Sequence, residues 1–246
     1  MTTFAKPLIA ATALAALALA GCNKPGAATN TASSATTASA APAGEPVVPA
    51  GKTQAPAGTY TLDHPHSTVV FRLSHLGFSK YTASFGKLDG QLTFDPDHPE
   101  KMAVSATIDP QSLTLQAPPA GFHDALTGAK WLDAGKYPQI TFKSTKVTST
   151  GANTADVAGD FTLHGVTRPV VLHVTFNGGY APNAFDGARV GFSGKTSIKR
   201  SDFGIGGGLP APGTNFGVGD NLDVTLETEW NSGKPTGGPL PPLPKE

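Results

Sequence analysis

The sequence predicts an all-β fold: a single antiparallel β-barrel of about eight strands with a short helix near its mouth. Three observations carry this reading. Apolar residues recur with period two through the central segment, clusters of Gly, Pro, Asp and Asn separate the alternating runs, and only one stretch has helical spacing.

The first run places Val69, Phe71 and Leu73 on one face, against Thr68, Val70, Arg72 and Ser74 on the other. The same alternation follows in Leu88-Gly90-Leu92-Phe94, in Met102-Val104-Ala106-Ile108 and in Ile140-Phe142. It continues through Val157-Gly159-Phe161-Leu163, Val170-Leu172-Val174-Phe176, Phe192-Gly194-Thr196-Ile198 and Leu222-Val224-Leu226. Asp95-Pro96-Asp97, Gly151-Ala152-Asn153 and Asn177-Gly178-Gly179 are turn signals between such strands. From Gly121 to Leu132, Phe122, Leu126 and Ala129 share helical spacing instead, which predicts a short helix over the barrel mouth. A barrel of about eight strands is filled by its own side chains or holds one slender ligand, and composition does not decide between the two.

Outside this segment the composition changes. Lys6 precedes an apolar run from Leu8 to Ala20, roughly 13 residues, in the range of a signal-peptide core and shorter than the ~18 that span a bilayer. Leu19-Ala20-Gly21-Cys22 resembles the bacterial lipobox, which makes residues 1–21 a lipoprotein signal peptide and Cys22 the lipidated N-terminus. An ordinary cleaved signal with a chance cysteine is the plainer alternative. Asn23, rather than Asp, in the second mature position points to the outer membrane. Residues 22–58, rich in Ala, Thr, Ser and Pro, read as a flexible tether, 59–230 as the globular domain, and 231–246 as a disordered Pro/Gly-rich tail. Cys22 is the only cysteine, so no intrachain disulfide supports the domain.

Several spaced motifs agree, in order, with one family. Asp63-His64-Pro65-His66-Ser67, Phe71 and His75-Leu76-Gly77 open the series, followed by Gly90-Gln91-Leu92-Thr93-Phe94-Asp95 and by Tyr137-Pro138-Gln139-Ile140-Thr141-Phe142-Lys143-Ser144. Gly159-Asp160-Phe161-Thr162-Leu163-His164-Gly165-Val166-Thr167-Arg168-Pro169-Val170 and Arg200-Ser201-Asp202-Phe203-Gly204 complete it. Together they resemble the YceI-like family over nearly all of residues 60–230. The resemblance implies a lipocalin-like barrel whose elongated apolar pocket takes up a polyisoprenoid chain, such as that of a quinone or a polyprenyl phosphate. Two departures stand out: Ala125 occupies the place of a family histidine in Phe122-His123-Asp124-Ala125-Leu126, and the Gly-rich stretch 204–219 is longer than the family pattern.

Such a pocket needs little polar chemistry. Burying a five-carbon isoprene unit contributes roughly 3 to 4 kcal/mol at about 0.8 per carbon, before conformational and association costs. The ligand-lining candidates are the inward-facing set: Phe71, Leu73, Leu92, Val104, Ile108, Phe142, Phe161, Phe192 and Ile198, with Phe122, Leu126 and Trp131 from the helical cover. Plain core packing is the alternative for each, and with it a tethered structural or interaction domain with a filled core.

Other chemistry finds little support. His64 and His66 have a ligand-like spacing, but Pro65 lies between them and the sequence indicates no third metal ligand nearby. Gly194-Lys195-Thr196 resembles the end of a phosphate-binding loop, yet Arg189 stands where its first Gly belongs. No Gly-x-Ser-x-Gly elbow and no recognisable catalytic set occurs, so no enzyme, cofactor or metal is expected. Arg200 is expected to pair with Asp202, a phosphate contact being the alternative, and His75 to be an inward, hydrogen-bonded structural histidine. With 18 basic and 18 acidic residues the net charge is zero, which offers no field for nucleic acid. The expected partners are a polyisoprenoid lipid and, through the lipid anchor, a membrane of the cell envelope facing the periplasm.

Overall fold

A computed structural model describes residues 53–233; the predicted signal peptide, Cys22, most of the tether and the tail from residue 234 lie outside the described residues. Eleven strands form one antiparallel sheet. They are β1 (Gly58–Leu62), β2 (Thr68–His75), β3 (Ser79–Phe85), β4 (Leu88–Phe94), β5 (Ala103–Ile108) and β6 (Leu113–Leu115), then β7 (Ile140–Ser149), β8 (Thr154–Leu163), β9 (Val166–Tyr180), β10 (Arg189–Lys199) and β11 (Asn221–Asn231). The single α-helix among the described residues, α1 (Phe122–Thr127), separates β6 from β7.

Eight strands close a ring in the order β1-β4-β5-β7-β8-β9-β10-β11, and the seam is made by Thr61 opposite Asn231 and Leu62 opposite Trp230. The other three strands are continuations. β1 and β2 lie end to end along β11, because β2 pairs Thr68–Arg72 with Asp223–Glu227 further down the same edge. β3 and β4 are likewise one bent strand, as are β5 and β6, so the chain runs as a meander of eight long strands, three of them broken.

The breaks follow from local chemistry. Between β1 and β2, Pro65 has no N–H to give the ladder, and Ser67 is buried in the gap: its hydroxyl donates to Asp63 O at 2.7 Å, and the Glu229 N–H donates to its Oγ at 3.1 Å. Between β5 and β6, Asp109 accepts from the Gln111 N–H at 2.8 Å and turns the chain at buried Pro110. The β8–β9 turn uses His164 (φ 52°) and Gly165 (φ 75°), the left-handed pair that a tight hairpin requires. Tyr137 packs where a Gly165 side chain would stand, and this joins the Tyr-Pro motif to the Gly-Val-Thr-Arg-Pro motif in space.

Two boundaries differ from the sequence-based expectation. Residues 53–57 belong compositionally to the tether, but Ala55 is buried in the core and the Tyr60 hydroxyl donates to Pro56 O at 2.7 Å. Helix α1 ends at Thr127, whose hydroxyl bonds back to His123 O, and Gly128 is extended; Ala129 therefore lies beyond the helix and is exposed.

Candidate functional site

Two clusters of buried side chains lie toward opposite ends of the barrel. At the end where β1 joins β11 they are Ala55, Tyr60, Leu92, Phe94, Ala188, Val190 and Trp230, with Phe176 and Phe192 packed against them. Phe94 lies 5.7 Å from Tyr60, 5.8 Å from Phe176 and 6.3 Å from Phe192 between ring centroids, so aromatic edges and faces fill this end. Toward the α1 end, Ile140, Leu163, Phe203 and Ile205 pack with Phe85, Ile108, Trp131, Phe161 and Ile198.

Between and around these clusters the barrel is hollow. The cavity measures about 1690 Å³, beyond the roughly 300–1,000 Å³ of most small-molecule pockets. Its middle is lined by residues that point inward and yet are only half-buried: Val69, Phe71, Val104, Phe161, Phe192, Val224 and Leu226. In a filled barrel the same positions would be covered by each other. Glycines at inward positions accommodate the larger side chains beside them; a Cβ on Gly159 would stand 2.5 Å from Phe142 Cζ, so this position admits no side chain.

All twelve predicted lining residues face this one cavity: Phe71 and Leu73 from β2, Leu92 from β4, Val104 and Ile108 from β5, Phe142 from β7, Phe161 from β8, and Phe192 and Ile198 from β10. Phe122 and Leu126 come from α1, and Trp131 from the segment after it. The wall also contains Val170, Leu172, Val174 and Phe176 of β9 and Leu222, Val224 and Leu226 of β11, whose alternation is as plain in the sequence as that of the others. Tyr81, Ala83 and Phe85 of β3 also belong to it; with the small Ala83 between polar Lys80, Thr82 and Ser84, their alternation is weak in the sequence. Ala125 is exposed and is not part of the lining.

Asp89, Asp97 and Arg200 are the charged residues that line the cavity, and at Arg200 the expected pairing with Asp202 is overturned. Arg200 is buried and inward on the strand parity, whereas Asp202 is exposed. The guanidinium donates from Nε to Gly219 O at 2.9 Å, from Nη1 to Ile205 O at 2.9 Å and from Nη2 to Val218 O at 2.8 Å, and it stacks over Trp131 at 5.2 Å. Burial lowers its pKa from the ordinary arginine value, with the Asp220 charge opposing. One side chain thus gathers both ends of the long Gly-rich segment to the barrel rim.

His75 is likewise corrected. It lines the cavity rim but is exposed and makes no side-chain hydrogen bond among the described residues, because the chain reverses immediately after it at Leu76 and Gly77. The histidines of the β1–β2 break also differ from expectation. The His66 imidazole meets Asp63 at 2.9 Å, and Glu229 supplies a third donor nearby that the sequence did not indicate. A metal there would compete with Arg189, whose guanidinium binds Asp63, meets Glu229 at 2.6 Å and reaches Asp186 at 3.0 Å. Burial raises the Asp63 pKa, but the hydrogen bonds from Arg189 and His66 outweigh it and hold the carboxyl below its ordinary 3.8. The cluster is a staple on the barrel seam in which one guanidinium bridges three carboxylates.

Comparison with known proteins agrees with this architecture. The YceI-like domain model matches residues 60–230. A UPF0312 protein of Pseudomonas syringae pv. tomato is 40% identical over 162 residues, covering 66% of this chain and 80% of the relative. Among solved structures, Burkholderia cenocepacia BcnA aligns with a TM-score of 0.58 at 28% identity, over 68% of this chain and 98% of that one. The Campylobacter jejuni YCEI protein aligns at 0.54 and 25% identity, over 65% and 90%. A polyisoprenoid binding domain from Saccharophagus degradans shares the fold, with a TM-score of 0.53 at 15% identity over 73% and 99%. Closed meander, spaced motifs and matched span together place the chain in the YceI-like family.

Proposed function

We propose that this protein binds a long polyisoprenoid lipid in its barrel and acts as a carrier or store for it in the bacterial cell envelope, tethered through an acylated Cys22. The observation that carries this reading is the hollow interior: inward apolar side chains stand half-exposed around about 1690 Å³ of space. Burying one five-carbon isoprene unit contributes up to about 4 kcal/mol, so several units would hold a ligand without a specific head contact. The likeness in fold to a domain described as polyisoprenoid binding supports the same class of ligand. Quinones and polyprenyl phosphates are the two head chemistries that suit such a chain; Arg200 at the wall is engaged by the carbonyls of Ile205, Val218 and Gly219, so the apolar chain rather than the head carries the binding.

We read this as binding rather than catalysis, because the wall is mainly apolar and its polar residues lie largely toward the rims. The structural-domain alternative requires a filled core, and the half-exposed inward side chains argue against it. Mass spectrometry of organic extracts of the purified protein tests the proposal. A stoichiometric prenyl lipid is expected; extracts free of prenyl lipid, together with no uptake of added prenyl alcohol, would overturn it.

A further inference from the structure

Two side chains are far more exposed than any other large apolar residue described: Phe78 at 82% and Phe216 at 72%, with the next at 41%. They stand on loops that are bonded together. The Leu76 N–H donates to Gly217 O at 2.7 Å, the Gly219 N–H donates to Ser74 O at 2.7 Å, and His75 bridges Val218. The turn before Phe78 has two left-handed residues, Leu76 (φ 55°) and Gly77 (φ 74°), and a bulky residue is uncommon in that conformation. Phe78 is therefore presented on a short, tied turn.

These loops are part of the cavity rim, since Ser74, His75 and Val218 line the cavity. Two further exposed apolar groups belong to the same end: Leu209, on the loop that Val218 ties through its N–H to Gly208 O at 2.7 Å, and Phe122 of α1, which itself lines the cavity. At the opposite end the exposed Tyr180 differs in kind, because its hydroxyl donates to Asp186 at 2.8 Å and accepts from Arg189 at 3.1 Å. Phe185, also at that end, is exposed to 41%, about half the exposure of Phe78, so among the described residues the two most exposed phenyl groups stand together beside the cavity rim at the α1 end.

We propose that Phe78 and Phe216 form a bilayer-insertion site at the cavity mouth, through which a prenyl chain passes between membrane and barrel without crossing water. The proposal rests on the polyisoprenoid-binding reading, which supplies both the cargo and the choice of a bilayer as the surface, while partitioning onto vesicles is measured independently of cargo uptake. A lipid bilayer suits the patch because a long-chain ligand of this cavity resides in one, and a mouth continuous with the apolar wall shields the chain during transfer. Electrostatic attraction is not the driving force: the net charge is zero, and Lys80, the nearest cation in sequence to Phe78, is engaged by Asp223. The chain enters at Thr53, on the far end, where Thr53 lies against Gly179. Residues 22–53 can span at most about 110 Å, and β11 with its 11 residues measures only about 35 Å. An anchor at Cys22 therefore permits the distant rim to face the same membrane.

The test uses the processed chain from residue 22 with Cys22→Ser, which removes the acyl anchor and keeps the whole barrel. Its sedimentation with phosphatidylcholine vesicles, with and without phosphatidylglycerol, is compared with that of a Phe78→Ser/Phe216→Ser variant. The parent is expected to partition onto both vesicle types alike, and the variant to lose at least roughly tenfold in partitioning while its melting temperature and its uptake of geranylgeraniol in vesicle-free solution are retained. As a second reading, Phe78→Trp emission should shift to the blue on adding phosphatidylcholine vesicles. A parent that stays in solution, a variant that sediments equally, or binding to anionic vesicles alone overturns the site. Vesicle binding lost in the variant, with no prenyl uptake by either protein, upholds the site and removes the cargo reading instead. Prenyl uptake without vesicle binding does the reverse.

Discussion

Arg200 lies over the indole of Trp131 at 5.2 Å, and each of its guanidinium nitrogens donates to a backbone carbonyl of the segment that closes the barrel rim. Arg200→Met keeps the aliphatic volume and leaves the carbonyls of Ile205, Val218 and Gly219 without their donors. The expected loss is about 3 kcal/mol or more, since each buried acceptor left unpaired costs roughly 1–3 kcal/mol. Arg200→Lys should recover only part of it, because an ammonium cannot reproduce the planar fork. Urea denaturation of the three proteins checks this, and equal midpoints would contradict the assigned role.

Enlarging cavity residues should separate packed from open positions. Phe142 is buried against Gly159, so Phe142→Trp is expected to destabilise by about 1–3 kcal/mol through overpacking. Phe161 is half-buried and faces the hollow. Phe161→Trp should fit with little change in melting temperature and reduce prenyl-alcohol uptake by occupying its space. The result to look for is this difference between the two positions in paired melting and binding measurements; equal destabilisation at both would favour a filled barrel.

Much of this architecture was legible because each strand has one face to bury. The eight alternating runs correspond to the eight long strands, and their inward positions form the cavity wall. What escaped was the division of three strands by Pro65, Gly86-Lys87 and Pro110: β6 has only three residues, and β1 buries only Tyr60. Alternation also could not distinguish a wall from a core. Phe161, half-buried with Phe203 on one side and the cavity on the other, and Phe142, buried against Gly159, obey the same parity, and only the summed volumes of opposed side chains separate them. Arg200 was misjudged because Asp202 is near in sequence, whereas its true partners include carbonyls 18 and 19 residues away. Such contacts depend on loop closure and leave no periodic trace.

The anchoring expectation concerns residues outside those described. With Cys22→Ser in the full precursor, lipid attachment has no thiol, so the protein should either leave the membrane fraction or accumulate with residues 1–21 uncleaved. Metabolic labelling with a fatty acid, followed by fractionation, distinguishes these results from an unaffected protein. Labelled, membrane-bound Cys22→Ser protein would rule out the lipobox assignment.

The barrel seam should be sensitive to acid in a direction set by Arg189. Its guanidinium binds Asp63, Asp186 and Glu229 together, and the hydrogen bonds of this network hold the pKa of Asp63 and of Asp186 below 3.8 despite the opposing effect of burial. A carboxyl with a depressed folded-state pKa binds protons more readily in the unfolded chain. Its stabilisation is therefore complete above the ordinary value and is lost as pH falls through that value and then through the folded one. The melting temperature should accordingly fall below about pH 4. Arg189→Leu removes the cation, so it should lower stability at neutral pH and flatten this acid decline, because Asp63 and Asp186 would then titrate nearer their unfolded values. Melting curves of both proteins from neutral pH down to about pH 2 decide the matter. Parallel declines would show that the seam network contributes nothing to the acid response.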